Sequence, residues 1–124
     1  MEPNTKTILV IDDSSTNIIL LEAVLSSKGY TIATALSAKE AFHLITKSLP
    51  DLILLDLLMP RINGFDFLKE IKINEHTRKV PVIVVSALTD SDNIQKVINL
   101  GAIDFVKKPV DIQKLVEMVQ KVIS

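Results

Sequence analysis

Three stretches of this chain are apolar at four successive positions, and the segments between them are apolar only at every third or fourth. The stretches are "ILVI" within Thr7–Ile11, "LILL" within "DLILLD" at 51–56, and "VIVV" within "VPVIVVS" at 80–86. Unbroken apolar runs of strand length mean that both faces of the strand are covered, the pattern of a parallel sheet sandwiched between helices. "YTIATAL" at 30–36 alternates like another strand, and "IDFVK" at 103–107 makes a fifth. Helical spacing fills the gaps. The pattern predicts a helix from Asn17 to Ser27 with Leu20, Leu21, Val24 and Leu25 on one side, stopped by Lys28-Gly29 because glycine tolerates the left-handed conformation that ends helices. Ile19 lies about 100° around that helix from Ile18 and away from the Leu21/Leu25 centre, so it is predicted to be exposed. A second helix, "AKEAFHLITKS", starts after Ser37 as N-cap with Glu40 at the capping-box position, and Pro50 ends it. The third is Gly64 to Ile73. The fourth runs from Asp90 to Leu100 with Ile94, Val97 and Ile98 at helical spacing, closed by Gly101. In the last, Ile112, Leu115, Val116, Val119, Val122 and Ile123 form one apolar face. Strands and helices alternate to the end with no repeat or linker, so residues 1–124 read as one doubly wound α/β domain.

Composition narrows the function classes. A chain of 124 residues with 48% hydrophobic content supports one core. Fourteen basic and fifteen acidic residues give a net charge of −1, and no Lys/Arg block stands out, so neither nucleic acid nor a membrane surface is an expected partner. The absence of cysteine excludes a disulfide framework, a thiol nucleophile and zinc–thiolate sites. "MEPNTKT" has no apolar leader segment and the longest apolar runs are far too short to span a membrane, so a cytoplasmic location is expected.

In open α/β sheets the ligand site lies beyond the carboxyl ends of the strands. Asp12 and Asp13 follow the first strand, Asp56 the third, Ser86 and Ala87 close the fourth, and Lys107, Lys108 and Pro109 follow the fifth. Two carboxylates ~4 Å apart repel by roughly 1 kcal/mol in water and ~4 at an effective dielectric of 20, so three on one rim call for a cation. A hard divalent ion such as Mg²⁺ suits an all-oxygen site and takes further oxygens from a phosphate ligand. His43 and His76 fall in a predicted helix and loop away from this rim, which argues against a histidine metal site. A carboxylate can attack phosphorus to give an aspartyl-phosphate. Asp56 is the natural nucleophile because it stands alone, whereas Asp12 and Asp13 form a pair suited to holding metal. Each signal has a plainer explanation: Asp13 or Ser14 can cap the first helix, Asp56 can be a polar loop residue, and Lys108-Pro109 can merely terminate a strand. Their conjunction at the ends of four strands carries the argument.

That conjunction resembles the receiver domain of two-component response regulators. "ILVIDDSSTN" is similar to the family's acidic signature, "DLILLDLLMPRINGFD" to its phospho-acceptor segment, "VPVIVVSA" to its switch segment and "GAIDFVKKPV" to its Lys-Pro segment. The resemblance implies a flavodoxin-like (βα)5 fold with strand order 2-1-3-4-5. It also implies Asp56 as phospho-acceptor, with Asp13, Asp56 and the Leu58 carbonyl binding Mg²⁺ directly and Asp12 acting mainly through water. Lys108 would be the family's lysine, with Lys107 a solvated neighbour, and the Lys108–Pro109 bond would be cis. Ser86 would bind a phosphoryl oxygen, and Phe105 would be the aromatic switch residue.

The implied partners are a histidine kinase or phosphotransfer protein as donor, and a target protein or output domain reading the face of helix four, strand five and helix five. Near the acidic rim, exposed Ile19 is a candidate donor contact. Four positions depart from the family's commoner residues. Asn63 stands where Asp is frequent, Phe105 lacks the hydroxyl of Tyr, and Leu58 and Leu88 flank the path of attacking water. The two leucines set the expectation of a long-lived phosphoryl group, which Leu58→Asn would shorten.

Rival functions fit less well. A flavodoxin-like cofactor domain needs a phosphate-cradling first loop, and here that loop opens with two aspartates. A phosphatase using an aspartate nucleophile would usually carry a second acid two residues on, where this chain has Leu58. With glycine only at 29, 64 and 101, there is no Walker loop or dinucleotide fingerprint. A receiver-like module acting without phosphorylation is opposed by the intact set of Asp12, Asp13, Asp56, Ser86 and Lys108.

Overall fold

A computed structural model describes residues 5–59, 62–87 and 90–123, and the backbone alone at 58, 59, 62 and 63. Five strands, β1 (Thr7–Ile11), β2 (Thr31–Ala35), β3 (Leu52–Leu55), β4 (Val82–Ser86) and β5 (Asp104–Lys107), form one parallel sheet in the order β2-β1-β3-β4-β5. The five connecting and closing helices are α1 (Ser15–Ser26), α2 (Ala38–Lys47), α3 (Gly64–Ile73), α4 (Ser91–Asn99) and α5 (Ile112–Ile123). The flavodoxin-like architecture and strand order expected above are both observed.

Successive strand residues point to opposite faces, and this divides the core in two. Leu9, Ile11, Ile53, Leu55, Val82 and Val84 pack with Ala41, Ile45, Phe67, Leu68, Ile71 and Val97 of α2, α3 and α4. Ile8, Val10, Leu52, Leu54, Ile83 and Val85 pack with Ile18, Leu21, Leu25, Leu115 and Val119 of α1 and α5. Both faces are covered, which is why these strands read as unbroken apolar runs.

Capping sets where the helices begin. Ser14 Oγ accepts from the Asn17 amide, so α1 starts at Ser15, two residues earlier than periodicity indicated. Ser37 Oγ accepts from Glu40 N–H, and the Glu40 carboxylate accepts from the Leu36 amide, one residue before the cap itself. Gly29 and Gly101 sit at φ 96° and 111° after their helices, as a left-handed stop requires.

One burial expectation is corrected. Leu20 is 50% exposed, and Ile18 takes the inward position of α1 beside Leu21 and Leu25. Ile98 is 41% exposed and Val97 alone is buried on α4, with Ile94 intermediate. Also unforeseen is an antiparallel pairing of Leu58–Met59 with Ile62–Asn63 between β3 and α3.

Candidate functional site

Register brings the acids together. Ile11 of β1 lies opposite Leu55 of β3, so the next residues, Asp12 and Asp56, leave the sheet side by side. The Asp56 amide donates to Ile11 O at 3.0 Å and the Asp12 amide to Ala35 O at 3.1 Å, which fixes both backbones at the rim. Across β4, the Lys108 amide donates to Ser86 O at 2.9 Å, and the following Lys108–Pro109 bond is cis, as expected.

Three strand ends therefore converge on one ion-pair cluster. Lys108 Nζ lies 3.2 Å from Asp12 Oδ2 and 3.3 Å from Asp56 Oδ2. Asp12 and Asp56 are buried, whereas Asp13 is exposed, and carboxylate oxygens of all three lie within 4.8 Å of one another. Burial pushes the Lys108 ammonium down, but the attraction of Asp56 and then of Asp12 outweighs it, leaving the group above the ordinary lysine value. One ammonium thus faces three carboxylates, and the site retains a demand for positive charge. All three donors are hard oxygens, a set that fits Mg²⁺ or a similar divalent ion. His43, in α2, and His76, in the 74–80 loop, are not in this cluster.

The other residues singled out in the sequence fall around it. Ser86, the last residue of β4, is fully buried and paired in register with Lys107, which is exposed. Phe105 is half-buried in β5 opposite Val84 and packs against the α2–α4 side of the core. Ile19 is 65% exposed on α1. The backbone of Leu58 lies in the short pairing two residues beyond Asp56, while its side chain, and Leu88 altogether, fall outside the described residues.

Two residues here carry more than sequence reasoning assigned them. A Cβ on Gly64 would lie 2.5 Å from Leu57 Cα, so only glycine lets α3 begin against the segment that follows Asp56. Asn17 Nδ2 lies 3.5 Å from Asp12 Oδ2, which places a carboxamide at the edge of the acid cluster. Its three-residue distance from the N-cap was the available signal. At that position a side chain turns back toward the preceding loop.

Comparison with known proteins finds relatives of the whole domain. The family model for the response regulator receiver domain matches residues 8–120. Response regulator PleD of Caulobacter vibrioides is 38% identical over 104 residues, covering 84% of this chain and 23% of the relative, so the chain spans less than a quarter of that protein. Sporulation initiation phosphotransferase F of Bacillus subtilis is 35% identical over 114 residues, 92% of this chain and 90% of that one. The crystal structure of a response regulator receiver protein from Pseudomonas putida superposes with a TM-score of 0.86 at 35% identity, covering 94% of this chain and 97% of the other.

Proposed function

Because the chain belongs to the response regulator receiver family, we propose that it is a switch thrown by phosphorylation of Asp56, with residues 1–124 forming one receiver domain. The observation that carries this is the cluster in which Lys108 bridges Asp12 and Asp56 while Asp13 completes a set of three carboxylates. The donor is a histidine kinase or phosphotransfer protein. A relative of nearly equal length whose name is that of a phosphotransferase supports a place in a phosphorelay.

In the transfer, an Asp56 oxygen attacks phosphorus as the bond from phosphorus to the donor's histidine nitrogen breaks. The electron pair of that bond leaves with the nitrogen, and the product is an acyl phosphate. Such a transfer requires mainly positioning and neutralisation of the equatorial oxygens. Lys108 supplies one positive charge, already held at the Asp56 carboxylate. Asp13, Asp56 and the Leu58 carbonyl are the direct ligands proposed for Mg²⁺, with Asp12 acting through water. When bound, the ion neutralises phosphoryl oxygens and offsets the repulsion among the acids. The chain catalyses only its own phosphorylation and dephosphorylation.

The phosphoryl group brings about −1.5 to −2 of charge. The Ser86 hydroxyl and the Lys108 ammonium move onto its oxygens, and Phe105 turns inward behind Ser86. Two arrangements separated by a small energy gap are then biased by a local charge. The face of α4, β5 and α5 presents the result to a target protein or output domain.

Incubation with Mg²⁺ and acetyl phosphate, followed by intact mass, tests the proposal. Wild type should gain one phosphoryl group and Asp56→Asn none. Absence of labelling in wild type, at Mg²⁺ concentrations that saturate the site, would favour a module that works without phosphorylation.

A further inference from the structure

Asp12 is buried, so each of its oxygens needs a partner. Oδ1 accepts from the Ser14 amide at 2.9 Å. Oδ2 is shared: Lys108 Nζ lies at 3.2 Å and Asn17 Nδ2 at 3.5 Å. The charged donor holds the shorter position and the carboxamide waits at the limit of a hydrogen bond. Asn17 is itself fixed, because its amide is bonded to the Ser14 cap and its backbone is the third residue of α1. Its side chain needs only a small torsional change to close the remaining gap.

We infer that Asn17 is a positioning residue that keeps Asp12 aimed at the metal-bound water, sharing Oδ2 with Lys108 when the metal binds and holding it alone once Lys108 turns to the phosphoryl group. This rests on the Mg²⁺-dependent phosphorylation of Asp56 proposed above. Among the described residues, Lys108 and Asn17 are the two donors that reach Asp12 Oδ2. Once the lysine engages the phosphoryl oxygens, the carboxamide is the one left. A carboxylate that orients a metal-bound water without a partner of its own loses direction, and loss of such outer partners typically weakens metal binding about 10–100-fold. Asn17 suits the task because it donates without charge, so it does not compete with the cation that the three acids require.

The test is a Mg²⁺ titration of the full chain followed by melting temperature, for wild type, Asn17→Leu and Asn17→Gln. Leucine keeps the branched four-atom side chain and removes the donor; glutamine restores it on a longer stem. The inference expects Asn17→Leu to melt with wild type when Mg²⁺ is absent and to need about tenfold more Mg²⁺ for the same rise, with Asn17→Gln recovering most of the affinity. Equal Mg²⁺ midpoints for wild type and Asn17→Leu would overturn it. So would a fall in metal-free melting temperature that accounts for the whole effect, since that marks a structural role. If wild type itself shows no rise with Mg²⁺, the metal reading fails, and the inference falls with it. A wild type that binds Mg²⁺ normally, beside an indifferent Asn17→Leu, isolates the failure to Asn17.

Discussion

Lys108 is the residue on which the resting site depends, since its ammonium is the one cation seen between Asp12 and Asp56 among the described residues. Removing one partner of a buried ion pair typically costs about 3–5 kcal/mol, and partial exposure of the lysine reduces this. Lys108→Ala is expected to destabilise the metal-free protein by about 2 kcal/mol, and saturating Mg²⁺ should restore much of the loss by supplying the missing charge. Urea melts with and without Mg²⁺ check both. The pKa gives a matching alkaline signature. Because the folded value is raised above the ordinary lysine value of 10.5, the stability that Lys108 contributes is fully present below that value and is lost as pH rises through the raised one. In Asp56→Asn the largest attraction that raises it is gone, and NMR titration of the Lys108 side chain should show deprotonation at lower pH than in wild type. The acid–lysine constellation was legible in the sequence because each member directly follows a strand. The spacing of Asn17 from the helix cap signalled its place beside the acids, but its part was not legible, because that depends on which oxygen of Asp12 the lysine occupies.

The helices and strands were read well where burial is one-sided or complete. The three apolar strands and α5 follow the pattern closely, since a covered strand must be apolar throughout and α5 keeps Leu115, Val116, Val119 and Ile123 inward. The first helix misled because Ile18, Ile19, Leu20, Leu21, Val24 and Leu25 surround much of its circumference, so spacing alone does not show which side faces the sheet. Contact with the α5 side of the core decides for Ile18 over Leu20. The short pairing after β3 was invisible for a different reason: two-residue arms are too short for any periodicity. α3 starts where the missing side chain of Gly64 admits Leu57. Gly64→Ala must push α3 or the segment after Asp56 aside, with an expected loss of about 1–3 kcal/mol by chemical denaturation. A wild-type denaturation midpoint would show that the approach of α3 is not tight.

At the scale of the molecule, a net charge of −1 conceals a polarity that the fold creates. Glu40, Asp66 and Asp92 lie in the first turns of α2, α3 and α4, while Lys47, Lys72, Lys96 and Lys121 lie in the last turns of α2 to α5. Each charge complements the dipole of its own helix. All these helices run opposite to one parallel sheet, so the acids collect at the end that carries Asp12, Asp13 and Asp56 and the lysines at the other. The rim is therefore hostile to a phosphoryl donor unless cations intervene, which gives Lys108 and a divalent ion their purpose. Ile19, exposed on α1 near the rim, is proposed as a contact for the donor protein. Ile19→Lys should lose transfer from the donor while labelling by acetyl phosphate persists, and unchanged transfer would remove Ile19 from the interface.

Residence of the phosphoryl group on Asp56 is tested most directly by locating it chemically. After labelling with acetyl phosphate and Mg²⁺, reduction with borohydride converts an acyl phosphate side chain to the corresponding alcohol, and peptide mass mapping then finds the altered position. The alcohol should appear at position 56, only when Mg²⁺ is present. Its appearance at Asp12 or Asp13 instead, or no alcohol at any aspartate of labelled protein, would contradict the account.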